Sequence, residues 1–411
     1  MSVHIKAGTG FASGKDAGKK AALQALKNAG VKECNFVVVY SSPSLNLKEV
    51  VKQVSDVTEN APLFGCTSAG NITEKGLWEN SVSVMVVNSS YFRVGVGIGE
   101  NVRKEPVEAG RKAARQASAL LKNDPRIRSL AMFQKPAGEY ARLPPFIALT
   151  AIDGLSGQEE RVLEGIQEGL GFSPIFGGSA GDDLNLKQTM VFCNGEIYSD
   201  AVTVALISTD FYTQIGSSHG WVTSNKSVVV TKAKGRKVIE FNGRPAAEEY
   251  SRMLGKSQNE LIKERNIAFG TGLKYPFGVQ DITGKIWLRH PFRVNKDGSI
   301  DFFAAIPEKT VLLLMEGTPE GLLHAGSQLA EDVTAELNGK PAVAFVFNCV
   351  ARKVFLGEKA AEEIRSIYNT VKCPMIGFYT YGEQSPTGSG MSYHKNQTIN
   401  LLLVSDKLIT G

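Results

Sequence analysis

Hydrophobic and polar positions follow one order of predicted elements that occurs three times along the chain. In the first copy, apolar residues at helical spacing over 15–28 precede a β-branched run over 36–40. An amphipathic segment over 45–57 comes next, then a short apolar strand over 63–66 and another strand over 81–87. The pattern therefore predicts a helix, strand, helix, strand, loop and strand.

The second and third copies repeat this order with different residues. The second predicts alternating strands and helices over 91–98, 106–122, 130–134, 158–170 and 201–208. The third predicts the same alternation over 311–315, 319–337, 342–347, 359–369 and 398–404. A triplicated unit of this kind has to be recognised before any local motif is interpreted.

Each copy contains a glycine-rich loop of similar sequence after a short apolar strand. The loops cover 62–71, 174–183 and 374–383, and each begins with Pro, two apolar residues and Gly. Glycines at both ends of a short turn allow positive φ or a close approach of backbone to a ligand or another strand. We expect at least two of these loops to lie at the same end of their sheets.

A segment of different character separates the second copy from the third. It predicts a hairpin of 228–231 with 237–241, a helix over 246–254, and a second hairpin of 287–294 with 299–305. We place a domain boundary near residue 225. This gives a domain over 1–225 with two copies and a domain over 226–411 with the inserted segment and the third copy.

The fold class that these patterns indicate is α/β, with mixed sheets flanked by helices. The copies of the helix and strand unit with its Gly-rich turn, together with the inserted segment, account for most of the chain.

Composition indicates a soluble protein that does not bind nucleic acid or cross a membrane. Of 411 residues, 43% are hydrophobic and 21% are charged, and a net charge of +5 is spread along the chain. The N-terminus has no apolar run long enough for a signal peptide, and other apolar runs have strand length. We expect a cytoplasmic location.

Five cysteines stand far apart in the sequence and none forms a C-x-x-C pair. They are Cys34, Cys66, Cys193, Cys349 and Cys373. This spacing argues against a disulfide framework and a zinc site. Cys66 or Cys349 could serve a cysteine-dependent amide hydrolase, and the other reading is a small buried residue at a strand end.

The most distinctive polar residues follow two neighbouring strands of the third copy. Cys349 and Arg352 follow one strand, and Tyr379, Tyr381 and Glu383 follow the next. Arg can bind a carboxylate with its planar fork, Glu can accept from an ammonium group, and tyrosines supply apolar walls with polar tips. The set suits a zwitterionic ligand, although Arg352 and Glu383 could instead pair with each other.

The second glycine loop supplies three further candidate residues. Asp182 and Asp183 could form a metal or acid–base pair, or they could be ordinary turn residues. We expect Ser179 or Asp182 to approach the ligand pocket from the other domain.

These motifs resemble those of the FIST family, sensory domains named for F-box and intracellular signal-transduction proteins. The resemblance rests on the first two glycine loops in the N-terminal half, and on Cys349, Arg352 and the segment 377–383 in the C-terminal half. It covers nearly the whole chain in the family order.

The resemblance implies a sensory module that binds a small ligand such as an amino acid, and no enzyme. Family members often carry a kinase, cyclase or chemoreceptor output, and because this chain has no room for one, we expect a separate signalling partner such as a histidine kinase, cyclase or chemoreceptor. No cofactor is required, but some members bind haem as nitric oxide sensors. For that alternative, His219 is the candidate axial ligand.

Overall fold

The structure is a computed structural model that describes residues 4–121, 146–171, 173–281, 283–387 and 391–409. The strand predicted over 130–134 lies outside the described residues. No helix in the described part of the chain is long and apolar enough to span a membrane.

The strands of the described chain are numbered in sequence order. They are β1 (Lys6–Ala12), β2 (Phe36–Ser41), β3 (Leu63–Thr67), β4 (Asn71–Thr73), β5 (Gly76–Trp78), β6 (Val82–Asn88), β7 (Phe92–Glu100), β8 (Phe146–Ile152), β9 (Ile175–Ser179), β10 (Val191–Cys193), β11 (Glu196–Tyr198), β12 (Ala201–Thr209), β13 (Phe211–Ser218), β14 (Val222–Lys234), β15 (Lys237–Phe241), β16 (Arg244–Pro245), β17 (Phe277–Gln280), β18 (Ile286–Arg289), β19 (Pro291–Val294), β20 (Ile300–Phe302), β21 (Val311–Glu316), β22 (Pro341–Cys349), β23 (Met375–Thr380), β24 (Glu383–Pro386), β25 (Ser392–Lys395) and β26 (Ile399–Leu408).

The helices of the described chain are numbered in the same way. They are α1 (Ala17–Ala29), α2 (Leu47–Val57), α3 (Pro106–Leu120), α4 (Glu159–Leu170), α5 (Ala246–Leu254), α6 (Gln258–Glu264), α7 (Thr271–Lys274), α8 (Pro319–Glu336), α9 (Val350–Leu356) and α10 (Ala360–Val371), with a short 3-10 turn at Gly357–Lys359.

Three sheets share one strand order, which confirms the repeated α/β unit. Their shared parts run β1-β6-β2-β3, β7-β12-β8-β9 and β13-β26-β22-β23. In each sheet, the first and last strands of the copy form an antiparallel pair: β1 with β6, β7 with β12, and β13 with β26. The two middle strands in chain order, which a helical segment connects, form a parallel pair: β2 with β3, β8 with β9, and β22 with β23. The fold is α/β with mixed sheets flanked by helices.

Each copy also donates a hairpin to the sheet of another copy. The hairpin β4–β5 leaves the first sheet and pairs with β23 of the third. The hairpin β10–β11 pairs with β3 of the first sheet, and β24–β25 pairs with β9 of the second. The exchange is cyclic, so each six-stranded sheet contains strands from two copies.

The glycine loops lie where the hairpins leave their own sheets, and they contact one another. Backbone hydrogen bonds join the loops in pairs: Gly181 N to Thr67 O at 3.0 Å, Ala69 N to Tyr379 O at 2.9 Å, and Ser179 N to Gly382 O at 2.7 Å. All three loops follow the equivalent strand of their sheets and contact one another, which confirms the expectation that at least two lie at the same end of their sheets.

The main core lies between the three sheets. Tyr40 and Phe378 have ring centroids 4.4 Å apart, and Phe176 and Phe347 have centroids 5.0 Å apart, so residues of all three sheets meet there. The opposite face of each sheet is covered by helices of its own copy, α1 and α2 on the first, α3 and α4 on the second, and α8 and α10 on the third.

The inserted segment interrupts the third copy after its first strand. It contains a sheet of order β18-β17-β21-β14-β15-β20-β19, with β16 paired to β15. The prediction that 311–315 begins the third copy is wrong, because β21 pairs with β14 and β17 of the insert. The first strand of that copy is β13, which pairs with β26. The domain division at residue 225 stays a prediction.

The first glycine of each loop is explained by a close approach between parallel strands. A Cβ on Gly377 would lie 1.9 Å from the Val346 carbonyl oxygen, and one on Gly65 would lie 1.9 Å from that of Val39. Each glycine faces this residue in the parallel register. A side chain there would push the two strands apart.

We expect Gly377→Ala to lower the free energy of unfolding by about 3 kcal/mol, because the new methyl group overlaps backbone that cannot rotate away. Denaturant unfolding measures the loss. Gly14→Ala is the matched control: no atom lies within 4 Å of its Cβ position, and only its φ of 71° is unfavourable. An equal loss in both variants would contradict the steric explanation.

Candidate ligand-binding site

Arg352 is fully buried and forms bonds that join several elements of the third copy. Its guanidinium donates to the Glu363 carboxylate of α10, to the Leu322 carbonyl of α8 at 3.0 Å, and to the His219 carbonyl. Glu363 also accepts from Asn348 Nδ2 at 2.7 Å. Arg352 and Glu363 therefore form a buried structural ion pair that joins α9 to α10.

Glu383, at the start of β24, is also fully buried but has no cationic hydrogen-bond partner in the described chain. Its carboxyl accepts from the Thr398 amide at 3.0 Å, from the Thr398 hydroxyl at 2.6 Å, and from the Thr380 hydroxyl. Burial raises its pKa to about 7, although these hydrogen bonds favour the ionised form. Thus the structure gives Arg352 and Glu383 separate protein partners, rather than two sides of one zwitterion site.

Asp182 shapes the segment that follows the second glycine loop. Its carboxylate accepts from the backbone amides of Leu186 at 2.9 Å, Lys187 at 2.7 Å and Gln188 at 3.0 Å. The Tyr381 hydroxyl donates to the same carboxylate. This bond connects the second loop to the third and fixes the position of the Tyr381 side chain.

The remaining predicted residues lie at the junction of the loops. Ser179 accepts from Gln384 Nε2 at 3.0 Å, and Tyr379 is buried with the Lys353 ammonium 5.7 Å from its ring centroid. Asp183 is half-buried and lines a polar cleft beside Lys353. Burial raises the pKa of Asp183, and the Lys353 charge partly offsets this.

A cavity of about 440 Å³ lies between β13, β25 and the insert, and we call it the lysine cavity. It contains Lys395, which is only 6% exposed. Lys395 Nζ donates to Ser385 Oγ at 2.8 Å and lies 3.4 Å from the Pro386 carbonyl and 3.5 Å from Ser217 Oγ. Burial lowers its pKa to about 8. Among the described residues, no carboxylate forms an ion pair with this ammonium group.

The opposite wall of the lysine cavity comes from the insert. Trp287 has a buried indole N–H without a partner among the described residues. Asp281 lies close enough that its charge acts on the pKa of Lys395. Ile215 and Ile286 supply apolar wall. The cavity therefore combines a cation, an anion and an apolar surface.

His219 also lines this cavity, but its surroundings do not fit an axial haem ligand. Nδ1 accepts from the Trp221 amide at 3.0 Å, and a backbone hydrogen bond at Ile286 also acts on the ring. Burial lowers its pKa to about 4, so the ring is neutral. Nδ1 is therefore engaged, and the nearby Ser217 and Lys395 make this part of the cavity polar.

A second cavity of about 160 Å³ lies between the second glycine loop, the insert and the end of β22. We call it the aromatic cavity, and its aromatic side chains are Phe269, Phe292, Phe303 and Tyr381, with His290. Cys349 and Asn396 also line it. Of the predicted site residues, Tyr381 and Cys349 therefore share a cavity.

The two candidate thiols have different surroundings. Cys66 lies without exposed surface in the main core, where burial raises its pKa well above the ordinary value. Cys349 lies beside the Glu383 carboxyl, and burial and then that charge raise its pKa. Neither environment favours a thiolate. No cluster of metal-binding side chains occurs in the described ranges.

Lys395, Asp281, Trp287 and Asn396 were missed by the sequence patterns. Residues 384–397 had no predicted element, so the strand β25 that directs Lys395 inward was not recognised. The relevant signal is the register of the last hairpin, in which Lys395 stands opposite Glu383. That register depends on where the turn falls, which the local sequence leaves open.

Family models match most of the chain. The FIST N domain matches residues 35–244, and the FIST C domain matches residues 246–386. An uncharacterized protein of Methanocaldococcus jannaschii is 23% identical over an alignment of 369 residues that covers 82% of this chain and 67% of that protein.

We expect Arg352→Met to lower the free energy of unfolding by about 3 to 5 kcal/mol, because it leaves the Glu363 carboxylate buried without its cation. Denaturant unfolding measures the change. The double variant Arg352→Met/Glu363→Leu should recover most of the loss, since it removes both charges. Unchanged stability in the single variant would contradict a structural role.

We expect Glu383→Gln to remove a pH-dependent loss of stability. The pKa of Glu383 rises from 4.5 to about 7 on folding, so the folded chain retains the proton over this range and wild-type stability falls as pH rises. Between about pH 4 and about pH 8, the free energy of unfolding of wild type should fall by about 3 kcal/mol relative to the variant. Parallel pH profiles would show that Glu383 ionises normally.

Proposed function

The chain belongs to the FIST family in both its halves, and from this premise we propose that it senses a small carboxylate ligand bound in the lysine cavity. FIST domains are generally sensory domains of signal transduction. An amino acid is the ligand class that we favour. We place its action in the cytoplasm.

The buried ammonium group of Lys395 is the observation that carries this proposal. A cation removed from water is unfavourable unless it is paired, and its described partners are neutral oxygens. With a pKa of about 8, the group remains mainly protonated at neutral pH. Glu383 and Asp281 act on Lys395 only through their charges, and a ligand carboxylate would supply the direct ion-pair partner that Lys395 lacks among the described residues.

The other walls suit the rest of an amino acid. Asp281 Oδ1 already accepts from Thr283 and from the Lys285 amide, so an ammonium group would approach the other carboxylate oxygen. The buried indole N–H of Trp287 is a donor that a ligand oxygen could satisfy. Ile215 and Ile286 can contact an aliphatic side chain. The volume of about 440 Å³ lies within the usual range for small-molecule sites.

Binding there would connect three parts of the molecule. Lys395 belongs to the exchanged hairpin, Ser217 to the first strand of the third copy, and Asp281 to the insert. A ligand that contacts all three favours the arrangement in which they lie close together. We propose that a separate partner, such as a histidine kinase, cyclase or chemoreceptor, reads this arrangement.

We expect Lys395→Met to weaken binding of the carboxylate ligand at least thirtyfold, because truncating one partner of a buried charge pair costs about 2 kcal/mol or more. A thermal-shift screen of amino acids and small carboxylates identifies the ligand, and calorimetry measures the loss. Lys285→Met is the matched control, since Lys285 lines the same cavity but is exposed. Equal losses, or no carboxylate ligand in the screen, would overturn the proposal.

A further inference from the structure

The aromatic cavity is a partly open cleft, with exposed Phe269 and Leu186 in its lining, and its chemistry differs from that of the lysine cavity. Its volume of about 160 Å³ resembles that of an apolar cavity that accepts benzene. Phe292 and Phe303 have ring centroids 4.8 Å apart and form one wall, and Tyr381 forms another. The Tyr381 ring is fixed because its hydroxyl bonds with Asp182 and with the Leu184 amide.

The lining carries no formal charge among the described residues. His290 is neutral, because burial lowers its pKa to about 4, and its Nε2 lies 2.8 Å from the Ala268 carbonyl. The Cys349 thiol stays protonated, because burial and the nearby Glu383 charge raise its pKa. A charged ligand would lose its hydration there without gaining a counter-ion, so an uncharged molecule suits this cavity.

Asn396 supplies the second, independent observation. It lines the cavity, is 3% exposed, and its Oδ1 has no hydrogen-bond partner among the residues that the structure describes. A buried amide oxygen without a donor is unfavourable by about 1 to 3 kcal/mol, and such groups are uncommon in native structures. By contrast, Oδ1 of Asn266 on the same cavity accepts from the Ala268 amide at 3.2 Å.

We propose that the aromatic cavity is a second ligand site, for an uncharged single-ring molecule that donates one hydrogen bond to Asn396. The ring would lie against Phe303 and Tyr381, and its N–H or O–H would satisfy the Asn396 oxygen. This site does not depend on the lysine cavity, because its recognition uses no charge.

Phenol and toluene are the probes that test it, because they match in size and differ in the hydrogen-bond donor. Calorimetry on wild-type protein should show saturable phenol binding about fivefold tighter than toluene, as expected for one neutral hydrogen bond. Asn396→Leu should remove this preference, whereas Lys395→Met should leave phenol affinity within about threefold of wild type. The second variant separates this proposal from the one for the lysine cavity.

The rate at which Cys349 is modified provides a second measurement, and it is made on the wild-type protein. Phenol at about ten times its dissociation constant should slow modification of Cys349 by a small thiol reagent about tenfold, because the occupied cavity excludes the reagent. Cys34, which lies outside the cavity, should react at an unchanged rate. Equal affinities for phenol and toluene, or an unprotected Cys349, would overturn the proposal, whether or not Asn396→Leu folds.

Discussion

The cyclic exchange of hairpins is the constraint on which the rest of the structure depends. Each copy sends its hairpin to the sheet of another copy, so no six-stranded sheet is complete within one stretch of sequence. The glycine loops are the crossing points, and their backbone groups bond with one another. The aromatic cavity lies beside this junction, where the second and third copies meet the insert, and the lysine cavity lies between the third copy and the insert.

Much of the fold was predictable because its local patterns are strong. The helix at Ala246–Leu254 was predicted with its bounds, and the glycine loops were recognised as equivalent. The exchange itself was not predictable, since strand pairing over more than a hundred residues leaves no local signal. Val311–Glu316 was misread for this reason: an apolar strand before a helix looks like the start of a copy, and only its partners show otherwise.

The candidate site shows a similar division. The sequence correctly indicated that charged residues follow buried strands in the third copy, but not whether each has a partner in the protein. Arg352 is paired with Glu363, which lies on a helix whose spacing reveals nothing about this contact. Lys395 is also buried, yet its described hydrogen-bond partners are neutral oxygens. A buried charge with an ion pair supports the fold, whereas one without it remains available to a ligand.

Glu383 contacts a lining residue of each cavity, although it lines neither cavity itself. It accepts from Thr398, which lines the lysine cavity, and it lies beside Cys349, which lines the aromatic cavity. A carboxylate bound to Lys395 would place a second negative charge near Glu383 and raise its pKa further, which favours the protonated form. The Cys349 thiol would then lose the neighbouring charge that raises its own pKa. Occupation of the first cavity would therefore change the acidity of a group in the second, whereas a neutral ring held by Asn396 would bind with little dependence on that proton.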